Sequence, residues 1–250
     1  MNKNTQVNAA LIIIGNEILS GRTQDTNTST LALWLNSLGV KVQEVRSIPD
    51  KEEVIVTTIN EVRKKNNYVF TTGGIGPTHD DITAKSISKA FNVKYEVNKE
   101  AYKILENYYK PGEFNEGRKK MSWTPSNAKL ILNPTSGAPG FIIDNVYCLP
   151  GVPSILKSML GGLKNVISGG KPIISHTINL RTVESEIAKS LTTVQENNKD
   201  VEIGSYPFFK AGKVGVSIVL RSDDKSKIEV CNSKILEFVN QKKIEIIKSS

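Results

Sequence analysis

Thr71-Thr72-Gly73-Gly74-Ile75-Gly76-Pro77-Thr78-His79-Asp80-Asp81-Ile82-Thr83 is the stretch on which the reading of this 250-residue chain turns. A short apolar run, Tyr68 to Phe70, leads into it, and an amphipathic segment, Ala84 to Phe91, leaves it. The pattern is strand, glycine turn, helix start. Gly73, Gly74 and Gly76 carry no β-carbon, so they can adopt positive φ and let a ligand approach the backbone. Successive N–H groups in such a turn form an anion-binding concavity. The following helix adds its unpaired N–H groups and the positive end of its dipole. Asp80 and Asp81 put carboxylates at the mouth of this anion site, which calls for a cation between them; Mg²⁺ is commonly held by one or two carboxylates plus substrate phosphates. The competing structural reading is an ordinary glycine turn with aspartate helix caps. Neither established phosphate signature fits. The spacing is G-G-x-G rather than G-x-G-x-x-G, and Pro77-Thr78 stand where a P-loop needs Lys and Ser or Thr.

Working outward, Ala9 to Ile14 is a continuous apolar run, as in a strand buried on both faces. Gly15 ends it. Asn16 and Glu17 follow at what would be the carboxyl edge of the sheet, where open parallel sheets bind ligands. Asp25, Thr26 or Asn27 starts a helix whose buried stripe is Leu31, Leu35 and Leu38, with Trp34 beside it and Gly39 as its stop. Val40 to Ile48 alternates as a second strand and ends in Pro49-Asp50. Asp50 reads as a natural cap for the helix from Lys51 to Lys65. With Tyr68 to Thr72, strand and helix alternate three times, the pattern of a mostly parallel sheet with right-handed crossovers. A short extended piece at Tyr95 to Val97 and a helix from Lys99 to Tyr109 come next. Lys110 to Asn127 is rich in Pro, Gly and charge. Lys129 to Leu132 is a strand. Asn133 to Gly140 is a small-residue loop, open to a flat ligand or to a tight strand connection. Phe141 to Ile143 and Val146 to Leu149 form a hairpin. Leu149-Pro150-Gly151-Val152-Pro153 opens a helix and makes a second candidate anion site.

Ser168 to Pro172 reads as a linker, dividing the chain into domains 1–168 and 173–241. The second domain reads as β-α-β-β-α, and Lys242 to Ser250 as a polar tail. Composition fits a soluble protein, with 38% hydrophobic and 23% charged residues. No apolar run approaches the ~20 residues a membrane helix needs, and no secretory signal core stands at the polar N-terminus. Cys148 and Cys231 are far apart and read as reduced core thiols, so the expected location is cytoplasmic with no membrane partner. The formal charge is +8, yet the lysines are scattered and only 6% of residues are aromatic, so a nucleic-acid partner is not expected.

Five motifs carry a resemblance to a known family. The glycine stretch resembles the signature of the MoaB/Mog molybdopterin-binding domain, and its Gly-Pro-Thr-x-Asp-Asp form resembles the CinA (competence/damage-inducible) branch. Ile14-Gly15-Asn16-Glu17-Ile18-Leu19-Ser20-Gly21-Arg22 and Asp25-Thr26-Asn27 resemble the family's first strand turn and helix cap. Asn133-Pro134-Thr135-Ser136-Gly137-Ala138-Pro139-Gly140-Phe141 and Leu149-Pro150-Gly151-Val152-Pro153 resemble its late loops. The resemblance runs from about Ala9 to about Leu163. It implies a three-layer α/β core, followed by a small two-layer α/β domain that is KH-like in outline but lacks a G-x-x-G loop between helices.

What the resemblance implies for the site is a set of residues. Asp81, Asp50 and Asp80 are the expected catalytic acids, with Asp81 and Asp80 on a divalent metal such as Mg²⁺. Expected ligand contacts are Thr72, Gly73, Gly74, Gly76, Thr78, Glu17, Asn27, Ser136, Ala138, Pro139, Gly140, Pro150 and Gly151. Arg118 and Lys120 are further phosphate candidates. The CinA branch implies metal-dependent hydrolysis of a nucleotide pyrophosphate of the ADP-ribose or FAD type. The wider family implies molybdopterin binding and adenylyl transfer. A pocket that binds nucleotide or pterin without turnover is the alternative from outside enzymology. The expected partner is thus a phosphate-containing small molecule, and relatives imply a homodimer or homotrimer. The amidase domain that often follows in CinA-type proteins has no counterpart in these 250 residues, so its activity is not expected here.

Overall fold

The computed structural model describes residues 6–210 and 212–247. It divides into two compact units, one ending at Gly170 and one beginning at Lys171.

In chain order the first unit contains β1 (Asn8–Ile14), α1 (Asn16–Leu19), α2 (Asn27–Ser37), β2 (Lys41–Ile48), α3 (Glu52–Val62) and β3 (Tyr68–Thr72). There follow α4 (Thr83–Ala90), β4 (Tyr95–Val97), α5 (Lys99–Tyr108), α6 (Glu116–Lys120) and β5 (Trp123–Pro125). The unit closes with β6 (Lys129–Ile131), β7 (Gly140–Ile143), β8 (Val146–Leu149) and α7 (Pro153–Leu163). Its main sheet has the order β2-β1-β3-β8-β7-β6. The first four strands in that order run parallel, while β7 and β6 are antiparallel. This is the mostly parallel α/β core the sequence implies.

The alternation of buried side chains along β1 explains the three layers. Ala9, Leu11 and Ile13 face a core shared with Leu31 and Leu35 of α2 and Leu156, Met159 and Leu163 of α7. Ala10, Ile12 and Ile14 face the opposite core, built with Ile55 and Ile59 of α3 and Ile87 of α4. A strand apolar at every position is thereby buried on both sides. Parallelism then brings the carboxyl ends of β1, β2, β3 and β8 to one edge. The residues that follow those strands, at 15–17, 49–50, 73–76 and 150–151, all emerge there.

Several local differences from the sequence reading have plain causes. Asn16–Leu19 is a short helix rather than a loop. Glu116–Lys120 is helical within the segment read as irregular, capped by Asn115 Oδ1, which accepts from the Arg118 N–H at 3.0 Å. Trp123–Pro125 pairs antiparallel with β4 as a two-stranded ribbon.

The second unit contains β9 (Ile174–Arg181), α8 (Glu184–Glu196), β10 (Glu202–Lys210), β11 (Lys213–Ser222), α9 (Lys225–Gln241) and β12 (Glu245–Ile247). Its sheet order is β10-β11-β9-β12, antiparallel throughout. Ile178, Leu180, Val216, Ile218 and Leu220 of the sheet pack with Ile187 of α8 and Ile228, Cys231 and Ile235 of α9. β12 corrects the reading of 242–250 as a polar tail: Ile246 pairs with Leu180 of β9 and so adds a fourth strand. Residues 248–250 lie outside the described residues. Both cysteines are free and buried. Burial pushes the Cys148 thiol up to about 12, which makes it an inert core group. Among the described residues no helix is long and apolar enough to cross a membrane.

Candidate functional site

The glycine turn follows β3 directly. Gly73 has φ +99° and Gly74 has φ +68°, consecutive left-handed residues. A β-carbon on Gly73 would stand 2.1 Å from the Ile14 carbonyl oxygen, and one on Gly74 would stand 2.1 Å from Thr83 Oγ1. The turn is therefore packed against the end of β1 on one side and the start of α4 on the other. Thr83 N–H donates to the Gly74 carbonyl at 2.9 Å. The N-cap residue of α4 is Ile82, with no side-chain cap. Asp80 and Asp81 thus do not serve as the capping aspartates that the structural reading of the motif allows.

A second helix start meets the same turn. A β-carbon on Gly151 would lie 3.4 Å from Gly73 Cα, and the next residue, Val152, opens α7 without a side-chain cap. Asn27 at the head of α2 donates from Nδ2 to the Gly151 carbonyl at 2.7 Å. That bond fixes the amide orientation and leaves Asn27 Oδ1 without a partner, although Asn27 is only 6% exposed. Thr72 Oγ1 and Thr83 Oγ1 are likewise buried and unpartnered. Two uncapped helix starts and a left-handed glycine pair therefore share one small region, where N–H groups and helix dipoles favour an anion.

Carboxylates gather beside it. Asp50 does not cap α3, whose N-cap residue is Lys51. Instead Asp50 Oδ2 accepts from the Asn16 N–H at 2.9 Å, which ties the end of β2 to α1. Burial holds the Asp50 carboxyl above the usual carboxylate range, against the pull of the Asn16 bond, and the charges of Glu17 and Asp80 push the same way. Asp81 Oδ2 accepts from both the backbone N–H and the hydroxyl of Thr78, at 2.8 and 2.5 Å. The Thr78 hydroxyl also neighbours Asp80 and holds that carboxyl below its ordinary value. One hydroxyl has one proton; the short contact gives it to Asp81, and Asp80 feels it as a nearby dipole. A β-carbon on Gly76 would lie 2.7 Å from Asp81 Oδ2, so this glycine makes room for the carboxylate.

The acids fit a divalent cation of one kind. Among the described residues no three His, Cys, Asp or Glu side chains converge as a protein-only metal cage. Mg²⁺ does not need such a cage: one or two carboxylates suffice when phosphates complete the shell. Asp80 is well exposed, and Asp81 spends only Oδ2 on Thr78. The charges of Glu17 and Asp80 add to burial in raising the Asp50 pKa, and a cation beside them would offset that effect.

The later loops divide. Pro139 joins Gly74, Gly76, Asp81, Lys120 and Trp123 in lining one cleft. Lys120, from α6, donates to the Thr78 carbonyl, so the basic segment folds back over the glycine loop. Arg118 instead lies over the Tyr109 ring, 4.1 Å from its centroid, and donates to the Glu113 carbonyl. Ser136 Oγ accepts from Asn133 Nδ2 at 2.7 Å, and Ala138 O accepts from the same amide at 2.8 Å; both bonds are internal to the loop. Gly140 lies buried in β7, where a β-carbon would stand 2.3 Å from the Cys148 carbonyl oxygen. Strand packing alone requires glycine there. Pro150 sits between β8 and Gly151 at the common edge.

Trp123, Tyr95 and Phe141 also line the cleft, and sequence reasoning assigned none of them to the site. Tyr95 and Trp123 are 28 residues apart and meet only through the β4–β5 ribbon, where ring centroids lie 5.3 Å apart. No periodicity in the sequence signals that pairing.

Comparison with known proteins agrees with this geometry. The family model described as "Probable molybdopterin binding domain" matches residues 10–176, two thirds of the chain. The chain belongs to the molybdopterin-binding domain family. A protein from Archaeoglobus fulgidus is 35% identical over 233 residues, covering 93% of this chain and 98% of its own. One from Pyrobaculum calidifontis is 35% identical over 210 residues, 80% of each chain. Among solved structures, CinA from Thermoplasma acidophilum, itself described as of unknown function, superposes with a TM-score of 0.61 at 30% identity. That match covers 64% of this chain and 98% of the other. Within the molybdopterin-binding domain family the MoaB/Mog-type core and the CinA-like character are thus both present. The second unit matches a different model, "FAD synthase, middle domain", over residues 172–247.

Proposed function

We propose that the first unit hydrolyses a nucleotide pyrophosphate, of the ADP-ribose or FAD type, with a divalent cation. The observation that carries this reading is the left-handed Gly73-Gly74 turn, set between the uncapped starts of α4 and α7 with acids beside it. Donors alone would make a phosphate-binding pocket. Donors adjoining Asp50, Asp80 and Asp81 make a pocket that can also hold a cation and manage a proton. The match of the second unit to a segment of FAD synthase favours a dinucleotide ligand over a simple phosphate ester.

In this reading the backbone N–H groups of the turn and of the two helix starts bind the pyrophosphate oxygens. Asp80 and Asp81 would hold the cation. When bound, it neutralises phosphate charge and lowers the pKa of coordinated water. Asp50 is the general base. Its Oδ2 is anchored on Asn16 N–H, so Oδ1 takes the proton as water adds to phosphorus and the bridging P–O bond breaks. The products are AMP and the other phosphorylated half of the substrate.

Molybdopterin binding is the second reading, favoured by the family description of residues 10–176. The same donors would then hold the pterin's phosphate, and the chemistry would be adenylyl transfer or none. One panel separates the readings: purified protein with ADP-ribose, FAD, NAD, or ATP plus molybdopterin, each with Mg²⁺, Mn²⁺ or Co²⁺. AMP release from ADP-ribose or FAD, reduced at least 100-fold in Asp81→Asn while ligand-induced thermal stabilisation survives, is the expected result. Adenylylated pterin would replace this proposal with the second reading. A melting shift with no turnover under any metal would make the unit a binding module.

A further inference from the structure

The cleft beside the glycine turn has an unusual wall. Trp123 is 39% exposed, a large apolar surface left open among polar site residues. It stands on the three-residue strand β5, braced by Tyr95 of β4 at 5.3 Å with an interplanar angle of 45°. Tyr95 is the more buried ring, and burial raises its hydroxyl pKa, so Tyr95 is the support and Trp123 the accessible face. Phe141 closes the cleft from β7, and Lys120 and Asp81 stand at its polar side. The β4–β5 ribbon therefore holds an aromatic ring in place next to an anion site. Leaving an indole half open costs burial free energy that a folded chain ordinarily recovers by packing it. The other tryptophan, Trp34, shows the contrast: it packs edge-on to Phe70 at 6.0 Å beside the main core.

We infer that Trp123 is the residue that recognises the flat heteroaromatic ring of the ligand, by stacking, while the glycine turn takes its phosphate. The inference rests on the phosphate reading of the turn and adds that the ligand is a phosphate joined to a planar ring. Stacking is tolerant of the ring's identity, so an adenine base and a pterin share this chemistry. Discrimination against phosphates without a ring is the property that Trp123 supplies.

Trp34→Phe leaves Trp123 as the sole tryptophan and keeps an aromatic ring against Phe70. Titrating that variant with AMP, a phosphorylated pterin and ribose 5-phosphate reads the subsite directly. Saturable quenching by AMP or by the pterin, with none by ribose 5-phosphate, is expected. Quenching by AMP identifies the nucleotide source of the ring; quenching by the pterin phosphate alone keeps the ring subsite and removes the nucleotide reading. In the Trp34→Phe background, Trp123→Ala should weaken the quenching ligand about tenfold or more, measured by thermal shift, and Trp123→Phe should restore most of it. Ribose 5-phosphate affinity should not change. The proposal is overturned if AMP and the pterin phosphate stabilise the protein without altering Trp123 emission. It is also overturned if Trp123→Ala weakens ribose 5-phosphate equally, which would make Trp123 a structural brace. If none of the three binds, the phosphate reading of the turn falls and takes this inference with it.

Discussion

The two units of this chain differ in how many polar groups they leave unpaired in one place. In the first, Asn27, Thr72 and Thr83 are buried at the carboxyl edge of the sheet with side-chain oxygens that meet no donor or acceptor. Two helices open there without side-chain caps. In the second, Ser222 is the one buried polar residue among those described, and its hydroxyl donates to the Asp200 carbonyl at 2.8 Å. Helix α9 is capped by Asp224, whose Oδ1 accepts from Ser226 N–H at 2.9 Å, while α8 opens without a side-chain cap. A buried polar atom left unpaired costs about 1–3 kcal/mol. In the first unit three such atoms, on Asn27, Thr72 and Thr83, lie at the edge that carries the glycine turn, and others lie on Asn66, Thr71 and Asn145; in the second, Asn232 Oδ1 is one among the described residues. The three unpaired atoms beside the glycine turn fit the phosphate site proposed there, because stability is commonly given up where a ligand is to be received.

Substituting matched glycines tests the contrast most strongly. Gly73 and Gly212 both have positive φ, +99° and +73°, but a β-carbon on Gly73 meets the Ile14 carbonyl at 2.1 Å and one on Gly212 meets nothing within 4 Å. Gly73→Ala must therefore bear both backbone strain and a clash with a core strand. A loss on the order of 3 kcal/mol or more is expected, with faster amide exchange in β1 and β3 and loss of phosphate binding. Gly212→Ala bears strain alone, about 1–2 kcal/mol. Equal losses would show that the Gly73 turn is not held as tightly as its contacts imply.

Asp50 sharpens the comparison through pH. Its folded pKa is raised, chiefly by burial, so the folded state resists its ionisation. Such a group contributes stability that is fully present below the unfolded pKa, near pH 4 for an aspartate, and lost as pH rises through the folded value. Asp50→Asn removes the titration and keeps an oxygen for the Asn16 N–H. The variant should melt no lower than the parent at pH 7 and lose its advantage as pH falls below about 4, while turnover of a pyrophosphate disappears. An Asp50→Asn protein that is less stable at pH 7 than at pH 4, relative to the parent, would mean that the acid is already neutralised by a partner at neutral pH.

How far the site could be read from sequence follows from what kind of contact makes it. The sheet edge was legible because β1, β3 and β8 are short apolar runs and β2 alternates, each ends at Gly or Pro, and parallel pairing places all their ends together. Gly73 and Gly74 were legible because their left-handed backbone needs glycine, and Gly151 because it opens a helix beside Gly73. Gly140, in the Asn133–Phe141 loop motif, has the Cys148 carbonyl as its close neighbour; a glycine that admits a strand and one that could admit a ligand look identical in sequence. Asp50 was open between cap and site because both roles need an acid after Pro49, and only the Asn16 bond decides it. Tyr95 to Val97 read as extended, but its pairing with Trp123 was not legible, since a three-residue ribbon has too few positions to show alternation. β12 was hidden for the same reason: Glu245–Ile247 is short and charged at one end, and its pairing with β9 is set by the tertiary fold.

The smallest effect should come from the second unit, where a polar group already has its partner. Asp224 Oδ1 accepts from the N–H of Ser226 and from its hydroxyl, at 2.9 and 2.6 Å, and these bonds with nearby Lys227 hold the carboxyl below its ordinary value. Asp224→Ala removes an ordinary helix cap. About 1 kcal/mol is the expected cost, seen as a modest drop in melting temperature, with AMP binding and turnover unchanged. A capped helix contributes to stability and stops there, whereas the starts of α4 and α7 have no side-chain cap and are the helix starts proposed to meet a ligand. If Asp224→Ala instead altered AMP affinity, the second unit would share in binding, and the division of labour between a site-bearing edge and a self-satisfied fold would have to be abandoned.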